Sequence, residues 1–326
     1  HKLAPIIHES DGEAGSPTDP KRFDKDDLLE RELSYGKSGF ALQFMLDVSL
    51  SDANKYPLKI NDLMVLSGVH TWEEAPVSLK WASGVDQLDA CKMLPNLGLK
   101  GDYWVAPMHI ADDYAEWEGS VMAIDPAGRG KDETGYAVVK MLHGNLYLTA
   151  SGGLLNGYST ESLRKLSEVA REQNVNQIIV ESNFGDGMFS QLLKPVLASI
   201  YPCTIEEVRH STQKEKRIID TLEPVFNSHK LIVDEKIIKD DFESTQDLKY
   251  KLFYQITRLT RDRGALIHDD RLEALSMAVN YWTEIMDRDA EDAVSEHKEN
   301  LLREELDRFM EHNIGRQRQN HNWINR

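Results

Sequence analysis

Four acidic residues of this sequence stand where a regular element ends or begins. Asp125 closes the apolar run "SVMAID", and Glu181 closes "IIVE". Asp269 and Asp270 come just before a helical pattern that contains Glu273. Sites in open α/β sheets form at the carboxyl ends of strands, so Asp125 and Glu181 can meet at one edge of a sheet. A spacing of three places Asp270 and Glu273 on one face of a helix.

Converging carboxylates repel one another unless a cation lies between them. A site with only oxygen ligands selects hard ions such as Mg²⁺ or Mn²⁺. A pair of such ions can hold a phosphate ester for in-line attack by water. Each acid also has a simpler interpretation. Asp125 could belong to a turn, because "DPAG" is a favourable turn sequence, and Glu181 could simply be an exposed acid at the end of its strand. Asp269 and Asp270 could cap the helix that follows them. The metal interpretation accounts for all of them together.

The elements that must position these acids form an α/β pattern. Two strands joined by a tight turn at residues 143–145 follow the strand that ends at Asp125, and Ser159 is a candidate N-cap for the next helix. "QIIVES" is a continuous apolar run, as expected for a strand buried on both faces. The predicted strands are 120–126, 134–142, 145–153, 177–182, 204–210 and 230–237, and the predicted helices are 160–174, 185–201, 214–229 and 269–288. This order predicts an α/β domain with a mixed sheet.

Composition changes along the chain suggest four regions. We predict a flexible lead over 1–20, a smaller linker or arm over 21–118, the α/β domain over 119–290, and an acidic helix with a polar tail over 291–326. No stretch is long and apolar enough for a membrane span, and no signal peptide is recognisable. The two cysteines suit a reducing compartment and are expected to be buried and unpaired.

The net charge of −17 argues at first against a nucleic-acid partner. Residues 286–311 supply a large part of the excess, however, with ten acids against four bases. Residues 249–263 hold five bases and one acid, so a local basic face could still meet phosphates. A solvated helix face is the simpler interpretation of those bases.

Other motifs carry weaker signals. "YGKS" at 35–38 lacks the earlier glycine of a phosphate-binding loop, because Arg31 stands there, so the chain contains no recognisable ATPase motor. Asp132 could serve as an outer metal ligand or as a plain loop acid. His268 is expected to be a solvent-facing turn residue.

Three segments taken together, "MAIDPAGRGKDETGYAVV", "IIVESNFGDGMF" and "LTRDRGALIHDDRLEALSMAV", closely resemble the nuclease domain of bacteriophage large terminase subunits. The similarity is greatest to the branch found in short-tailed phages, and it extends over about residues 20–290. The resemblance implies an RNase H-like mixed sheet flanked by helices. It also implies that an N-terminal ATPase domain precedes this region in the full-length protein.

The resemblance assigns roles to individual residues. Asp125 matches the aspartate that bridges two ions, and Glu181 matches the acid after the fourth strand of the nuclease. The third acid is ambiguous between Asp269 and Asp270, and we prefer Asp270 because its spacing to Glu273 reproduces the paired acids of resolvase-type sites. Glu273 stands where many relatives carry Asp, so direct ligation by its longer side chain is an open alternative.

The function implied by the resemblance is Mg²⁺- or Mn²⁺-dependent endonucleolytic cleavage of concatemeric double-stranded viral DNA, with two ions and low sequence specificity. Implied partners are DNA, the small terminase subunit and the portal or procapsid, in the host cytoplasm during viral assembly and with no membrane. The alternative is a non-catalytic docking module that links the packaging motor to the portal. The candidate DNA-binding residues are Arg129, Lys131, Lys214, Lys216, Arg217, Lys249, Lys251, Arg258, Arg261 and Arg263.

Overall fold

The computed structural model describes residues 21–24, 26–28, 30–31, 40, 43–44, 55–81, 89–91, 93–99, 101–127, 132–182 and 187–289. The predicted lead at 1–20, the predicted tail at 291–326 and the candidate DNA-binding residues Arg129 and Lys131 lie outside these ranges. The chain divides into two compact units, His1–Ala278 and Val279–Arg326. Within the ranges described, no helix has the length and hydropathy that a membrane crossing requires.

The first unit contains thirteen strands and, from residue 160 onward, six helices among the described residues. The strands are β1 (Met64–Leu66), β2 (Glu74–Pro76), β3 (Leu79–Lys80), β4 (Asp89–Ala90), β5 (Val105–Ala106), β6 (His109–Ile110), β7 (Tyr114–Glu116), β8 (Gly119–Asp125), β9 (Thr134–Leu142), β10 (Asn145–Leu154), β11 (Gln177–Glu181), β12 (Thr204–Val208) and β13 (Leu231–Asp234). The helices are α1 (Thr160–Glu172), α2 (Met188–Ile200), α3 (Lys214–Asn227), α4 (Glu235–Glu243), α5 (Leu252–Arg258) and α6 (270–278). In the second unit, residues 279–289 are helical.

Nine of the strands form one mixed sheet, in the order β12-β11-β8-β9-β10-β13-β1-β5-β4. Strand β9 runs antiparallel to both of its neighbours, β8 and β10, while β11 runs parallel to β8 and β12 runs parallel to β11. The predicted mixed sheet is therefore present. The parallel strands β8, β11 and β12 end at the same edge, where Asp125 and Glu181 lie.

Apolar packing fixes this half of the sheet. Met122, Ile124 and Val138 form a buried cluster with Leu163 and Leu166 of α1 and with three residues of α2, Phe189, Leu193 and Leu197. Ser159 is the predicted N-cap of α1, and its hydroxyl accepts a hydrogen bond from the backbone N–H of Ser162 at 3.1 Å. The α1 and α2 helices thus cover one face of the strands that carry the acids.

The region before residue 118 contributes to the same sheet. Strand β1 pairs with β13, and β5 pairs with β1, both in parallel. Met64 and Val69 pack with Tyr147 and Ile232 in a second buried cluster. The boundary at 118/119 between arm and α/β domain remains a prediction, but the described part of the arm is packed onto the sheet.

Two local expectations need correction. The strand predicted over 230–237 ends at Asp234, because the Asp234 carboxylate caps α4 by accepting a hydrogen bond from the Lys236 N–H at 2.8 Å. Cys91 and Cys203 are free, as expected, but they are half-buried where full burial was predicted.

Candidate metal centre

The two strand-end acids are neighbours in space. Asp125 is the last residue of β8 and Glu181 the last of β11, and the preceding residues Ile124 and Val180 are paired in the sheet. The Asp125 and Glu181 carboxyl groups are hydrogen-bonded to each other. Asp125 is only 7% exposed, so this pair is held at the edge of the core.

The start of α6 adds three more acids. The Glu273 N–H donates to the Asp269 carbonyl at 2.8 Å, which forms the first turn of the helix. Glu273 is fully buried. The Oδ2 of Asp270 and the Oε2 of Glu273 are buried and have no hydrogen-bond partner in the part of the chain that the structure describes. Buried carboxylate oxygens in this condition fit a bound cation.

Two cations on the first turn of α3 point into the same cluster. Lys214 Nζ lies 2.8 Å from Asp269 Oδ1 and 3.5 Å from both Asp125 Oδ2 and Glu273 Oε2. Arg217 Nη2 contacts Glu273 Oε1 and lies 4.0 Å from Glu181 Oε1. These cations partly balance the five carboxylates, so Lys214 and Arg217, predicted to contact DNA, lie inside the acidic cluster.

The pKa values of the clustered carboxyl groups are raised, mainly by burial and further by the neighbouring acids. Burial, reinforced by Glu181, raises the pKa of Asp125 from 3.8 to about 7, although Lys214 opposes the shift. Burial and the Asp125 charge raise the pKa of Asp270 to about 7, and burial does the same for Glu273. Burial lowers the pKa of Lys214, but Asp125, Glu273 and Asp269 outweigh this effect and the net shift is upward. The cluster therefore favours a further positive charge, either protons or metal.

A pH dependence of stability follows from these shifts. Three carboxyl groups with raised native pKa values bind more protons in the native state than in the unfolded state between about pH 4 and 7. We therefore expect the free energy of unfolding in EDTA to fall as the pH rises from 5 to 8, as measured by urea titration. Saturating Mn²⁺ should remove the fall, since binding to ionised carboxylates stabilises the native state. Stability in EDTA that is constant or rises over this range would contradict the shifts.

A glycine makes the approach of α6 to β8 and β9 possible. Gly135 pairs with Asp125 across the sheet, and a Cβ at Gly135 would lie 2.2 Å from the Asp270 carbonyl oxygen. The backbone of the α6 start therefore lies directly against the strand next to Asp125. No side chain fits between them.

We expect Gly135→Ala to displace the Asp270 backbone, because both clashing partners are main chain. The expected cost is about 1–3 kcal/mol of unfolding free energy, together with weaker Mn²⁺ binding in calorimetry. Gly152→Ala is the matched control, since the atoms nearest to its added Cβ all belong to the Tyr136 side chain, the closest at 2.8 Å. That variant should lose stability but keep Mn²⁺ affinity. Unchanged Mn²⁺ affinity in Gly135→Ala would contradict the positioning role.

His268 and Asp132 lie on the outer side of the cluster. His268 was expected to face solvent, but it is 8% exposed and stacks on Tyr250 with 4.0 Å between ring centroids. Its Nδ1 lies 3.1 Å from Asp132 Oδ1, and the Asp132 side chain is 61% exposed. Asp132 thus contacts His268 at the rim and is the most exposed of the predicted acids described here.

Several of the other predicted DNA-binding bases have partners within the protein. Lys251 is buried, with its ammonium donating to the Phe242 carbonyl, because α5 packs into the core. Arg258 is half-buried and donates to Thr257 Oγ1 at 3.1 Å. Lys249 lies 3.8 Å from Asp247, and Arg261 pairs with Asp220 and Glu223. Lys216 and Arg263 are exposed.

Sequence reasoning missed His210. It lies two residues after β12, and ligand atoms of Glu181, His210 and Glu273 all fall within 4.8 Å of one another. The strand-end rule that selected Asp125 and Glu181 also applies to "TIEEVRH" and could have selected this histidine. These three residues could hold a metal ion, and their donor set contains nitrogen as well as oxygen.

The sequence is similar to those of known terminases. A family model described as Terminase Bacteriophage T7, Ribonuclease H-like domain, matches residues 124–231. The terminase large subunit of Enterobacteria phage T3 is 42% identical over 317 residues, which cover 94% of this chain and 53% of that protein. The chain thus spans about half the length of the curated relative that it matches. The expected family resemblance and the RNase H-like fold are confirmed by these matches.

Solved structures give weaker likenesses. The human cytomegalovirus terminase nuclease domain, in a Mn-soaked and inhibitor-bound form, is 18% identical over 50% of this chain and 82% of that one, with a TM-score of 0.38. The large terminase nuclease of thermophilic phage G20c is 10% identical over 69% of this chain and 98% of that one, with a TM-score of 0.36.

Proposed function

We propose that this chain is a divalent-metal-dependent endonuclease, because residues 124–231 match the model of a terminase RNase H-like domain and the chain is 42% identical to the large terminase subunit of Enterobacteria phage T3. Its proposed substrate is concatemeric double-stranded viral DNA, cut with low sequence specificity during genome packaging. One observation carries the proposal. The carboxylates of Asp125, Glu181 and Asp270 meet at the end of the sheet, and their cluster keeps raised pKa values despite two neighbouring cations.

We assign the ligands by position. The Asp125 carboxyl group interacts both with Glu181 and with Asp269 and Asp270 at the start of α6, so it is the group proposed to contact both ions. Glu181 would contact one ion and Asp270 the other, with Asp269 as the alternative third ligand and Glu273 as an additional one. Asp269 already accepts a hydrogen bond from Lys214 at 2.8 Å, whereas no described residue donates one to the buried Asp270 Oδ2, which supports Asp270. When bound, such ions polarise the phosphate ester and activate water for in-line attack.

The chain's own cations have a proposed part in the reaction. Lys214 is proposed to favour the ionised forms of Asp125 and Glu273 and so to oppose the effect of burial, because its Nζ lies 3.5 Å from each carboxylate. The exposed bases Lys216 and Arg263 are proposed to contact the DNA backbone, which is the usual source of affinity without sequence preference. Asp132, 61% exposed, is proposed to act at most as an outer group of the site.

The proposed biological setting follows from the relative. The chain spans about half of a large terminase subunit, so we propose that the full-length protein also carries an ATPase domain. The proposed partners are the small terminase subunit and the portal or procapsid, in the host cytoplasm. The alternative docking role would draw on the acidic residues 286–311, which lie largely beyond residue 289 and outside the described residues.

Plasmid cleavage tests the proposal. Supercoiled plasmid is incubated with this chain in Mn²⁺, in Mg²⁺ or in EDTA, and the nicked and linear products are separated on a gel. We expect nicking followed by linearisation with a divalent ion, and intact plasmid in EDTA. Plasmids of unrelated sequence should be cut at similar rates. Intact plasmid under conditions where calorimetry shows the ion bound would contradict the proposed nuclease.

A further inference from the structure

His210 extends the candidate metal centre beyond its carboxylates. Its ring belongs to a set with Glu181 and Glu273 in which one ligand atom of each residue lies within 4.8 Å of the others. The three come from separate elements, the end of β11, the segment after β12 and the first turn of α6. They are far apart in the sequence, so neither composition nor spacing predicts that they lie close together.

The segment that carries His210 is tied to the end of β11. The Ser182 N–H donates to the Val208 carbonyl at 2.9 Å, and the Ser182 hydroxyl donates to the same carbonyl at 3.2 Å. Arg209 Nε donates to the Ser182 hydroxyl at 3.3 Å. Because Ser182 and Arg209 directly adjoin Glu181 and His210, these bonds hold the carboxylate and the imidazole beside each other.

The third donor, Glu273, belongs to the first turn of α6 and is buried. The Glu273 side chain is 1% exposed, and among the described residues no hydrogen bond reaches its Oε2. Lys214 Nζ lies 3.5 Å from this oxygen and supplies charge without a hydrogen bond, and a buried carboxylate beside a half-buried imidazole is a donor arrangement that suits a cation.

We propose that His210, with Glu181 and Glu273, forms one ion position of this centre and makes that position prefer Mn²⁺ to Mg²⁺. The proposal rests on the proposed nuclease function. The preference for Mn²⁺ would follow from the type of ligand, because imidazole nitrogen binds transition-metal ions well, whereas Mg²⁺ favours oxygen ligands and retains its waters. A site with carboxylate ligands alone would have a much smaller preference for Mn²⁺ over Mg²⁺.

Arg217 affects the affinity of this position but not its selectivity. Its guanidinium contacts Glu273 Oε1 and lies 4.0 Å from Glu181 Oε1. An ion bound by these carboxylates must compete with that charge, and the competition weakens Mn²⁺ and Mg²⁺ binding alike. The ratio of the Mn²⁺ and Mg²⁺ affinities is therefore the quantity that measures the contribution of His210.

Pulsed electron paramagnetic resonance on the Mn²⁺-loaded chain tests the assignment directly, in a buffer free of coordinating nitrogen. We expect nitrogen modulation of the Mn²⁺ signal in the wild-type chain and its loss in His210→Gln. Calorimetry should show Mn²⁺ binding weakened about 10-fold in His210→Gln, with much less change for Mg²⁺. His210→Asp should restore ion binding through an oxygen ligand and lower the Mn²⁺/Mg²⁺ affinity ratio. Restored binding would show that the loss in His210→Gln comes from the missing ligand and not from a folding defect.

Two histidine variants serve as controls. His268→Gln removes the other described imidazole beside the acidic cluster, and His109→Gln removes an exposed one in β6. Both should keep the nitrogen modulation. Modulation that persists in His210→Gln, or Mn²⁺ bound at the centre without modulation in the wild type, overturns the proposal. Neither result would contradict the proposed nuclease activity, which is tested separately by plasmid cleavage in EDTA and with metal.

Discussion

Asp125→Asn is expected to abolish metal-dependent plasmid cleavage while the chain stays folded. The carboxylate of Asp125 interacts with both Glu181 and Asp269, and an amide in its place neither carries charge nor binds a hard cation strongly. Loss of even an outer hydrogen-bond partner of a metal ligand costs about 10–100-fold in activity or affinity. Loss of a proposed direct ligand should therefore lower the rate by more than about 100-fold.

The same change should not destabilise the metal-free chain. Burial and like charges already raise the pKa of Asp125 to about 7, so its ionised form is unfavourable without metal. At pH 8 in EDTA, Asp125→Asn should therefore unfold at a higher urea concentration than the wild type. An inactive variant that is more stable excludes misfolding as the cause of inactivity.

Asp112→Asn is the matched control, because Asp112 is exposed and precedes the strand that leads into β8. It should cut plasmid at the wild-type rate and show the wild-type urea transition. The assignment of Asp125 is wrong if Asp125→Asn still cuts plasmid in the presence of Mn²⁺. It is also wrong if both aspartate variants lose activity to the same degree.

Short-range patterns were enough to predict the elements that carry Asp125 and Glu181. The apolar runs before these acids are buried strands, and the turn between β9 and β10 has positive φ at His143 and Gly144, as a tight hairpin requires. Ser159 caps α1 as its side-chain chemistry predicts. These features depend on residues a few positions apart, so a single sequence contains the needed information.

The rest of the cluster depends on distant contacts. Arg217 and Glu273 are 56 positions apart, and Lys214 reaches Asp125 across 89 positions. A base at the start of a helix looks the same in sequence whether it faces DNA or a neighbouring carboxylate. His268 is another example, since its burial depends on stacking against Tyr250, which "ALIHDD" does not encode. Strand-end position would have indicated His210, but only the fold brings Glu273 beside it.

Arg271→Met is expected to cause the largest loss of stability among single changes near the centre. Arg271 is 5% exposed, and its Nε and Nη2 lie 2.6 and 3.2 Å from the two carboxylate oxygens of Glu133. Its Nη1 lies 2.9 Å from Asp241 Oδ1. Removing the guanidinium leaves two buried carboxylates without a counter-charge, which costs about 3–5 kcal/mol. Arg271→Lys should recover only part of this, since one ammonium cannot bridge both acids.

A double-mutant cycle isolates the buried pair. We expect Glu133→Gln combined with Arg271→Met to lose less unfolding free energy than the sum of the two single variants, by about 0.5–3 kcal/mol. Urea titrations of the four chains give this coupling energy. Strictly additive losses would show that Glu133 and Arg271 act separately.

Arg261→Met provides the matched comparison, because Arg261 also makes two ion pairs, at 2.9 Å to Asp220 and at 2.6 Å to Glu223. Its side chain is 52% exposed, so the loss should be about 1 kcal/mol or less. A similar loss in both variants would mean that burial is not what makes the Arg271 network important. A much larger loss in Arg271→Met, accompanied by weaker Mn²⁺ binding, would mean that the network positions the adjacent Asp270 as well as stabilising the fold.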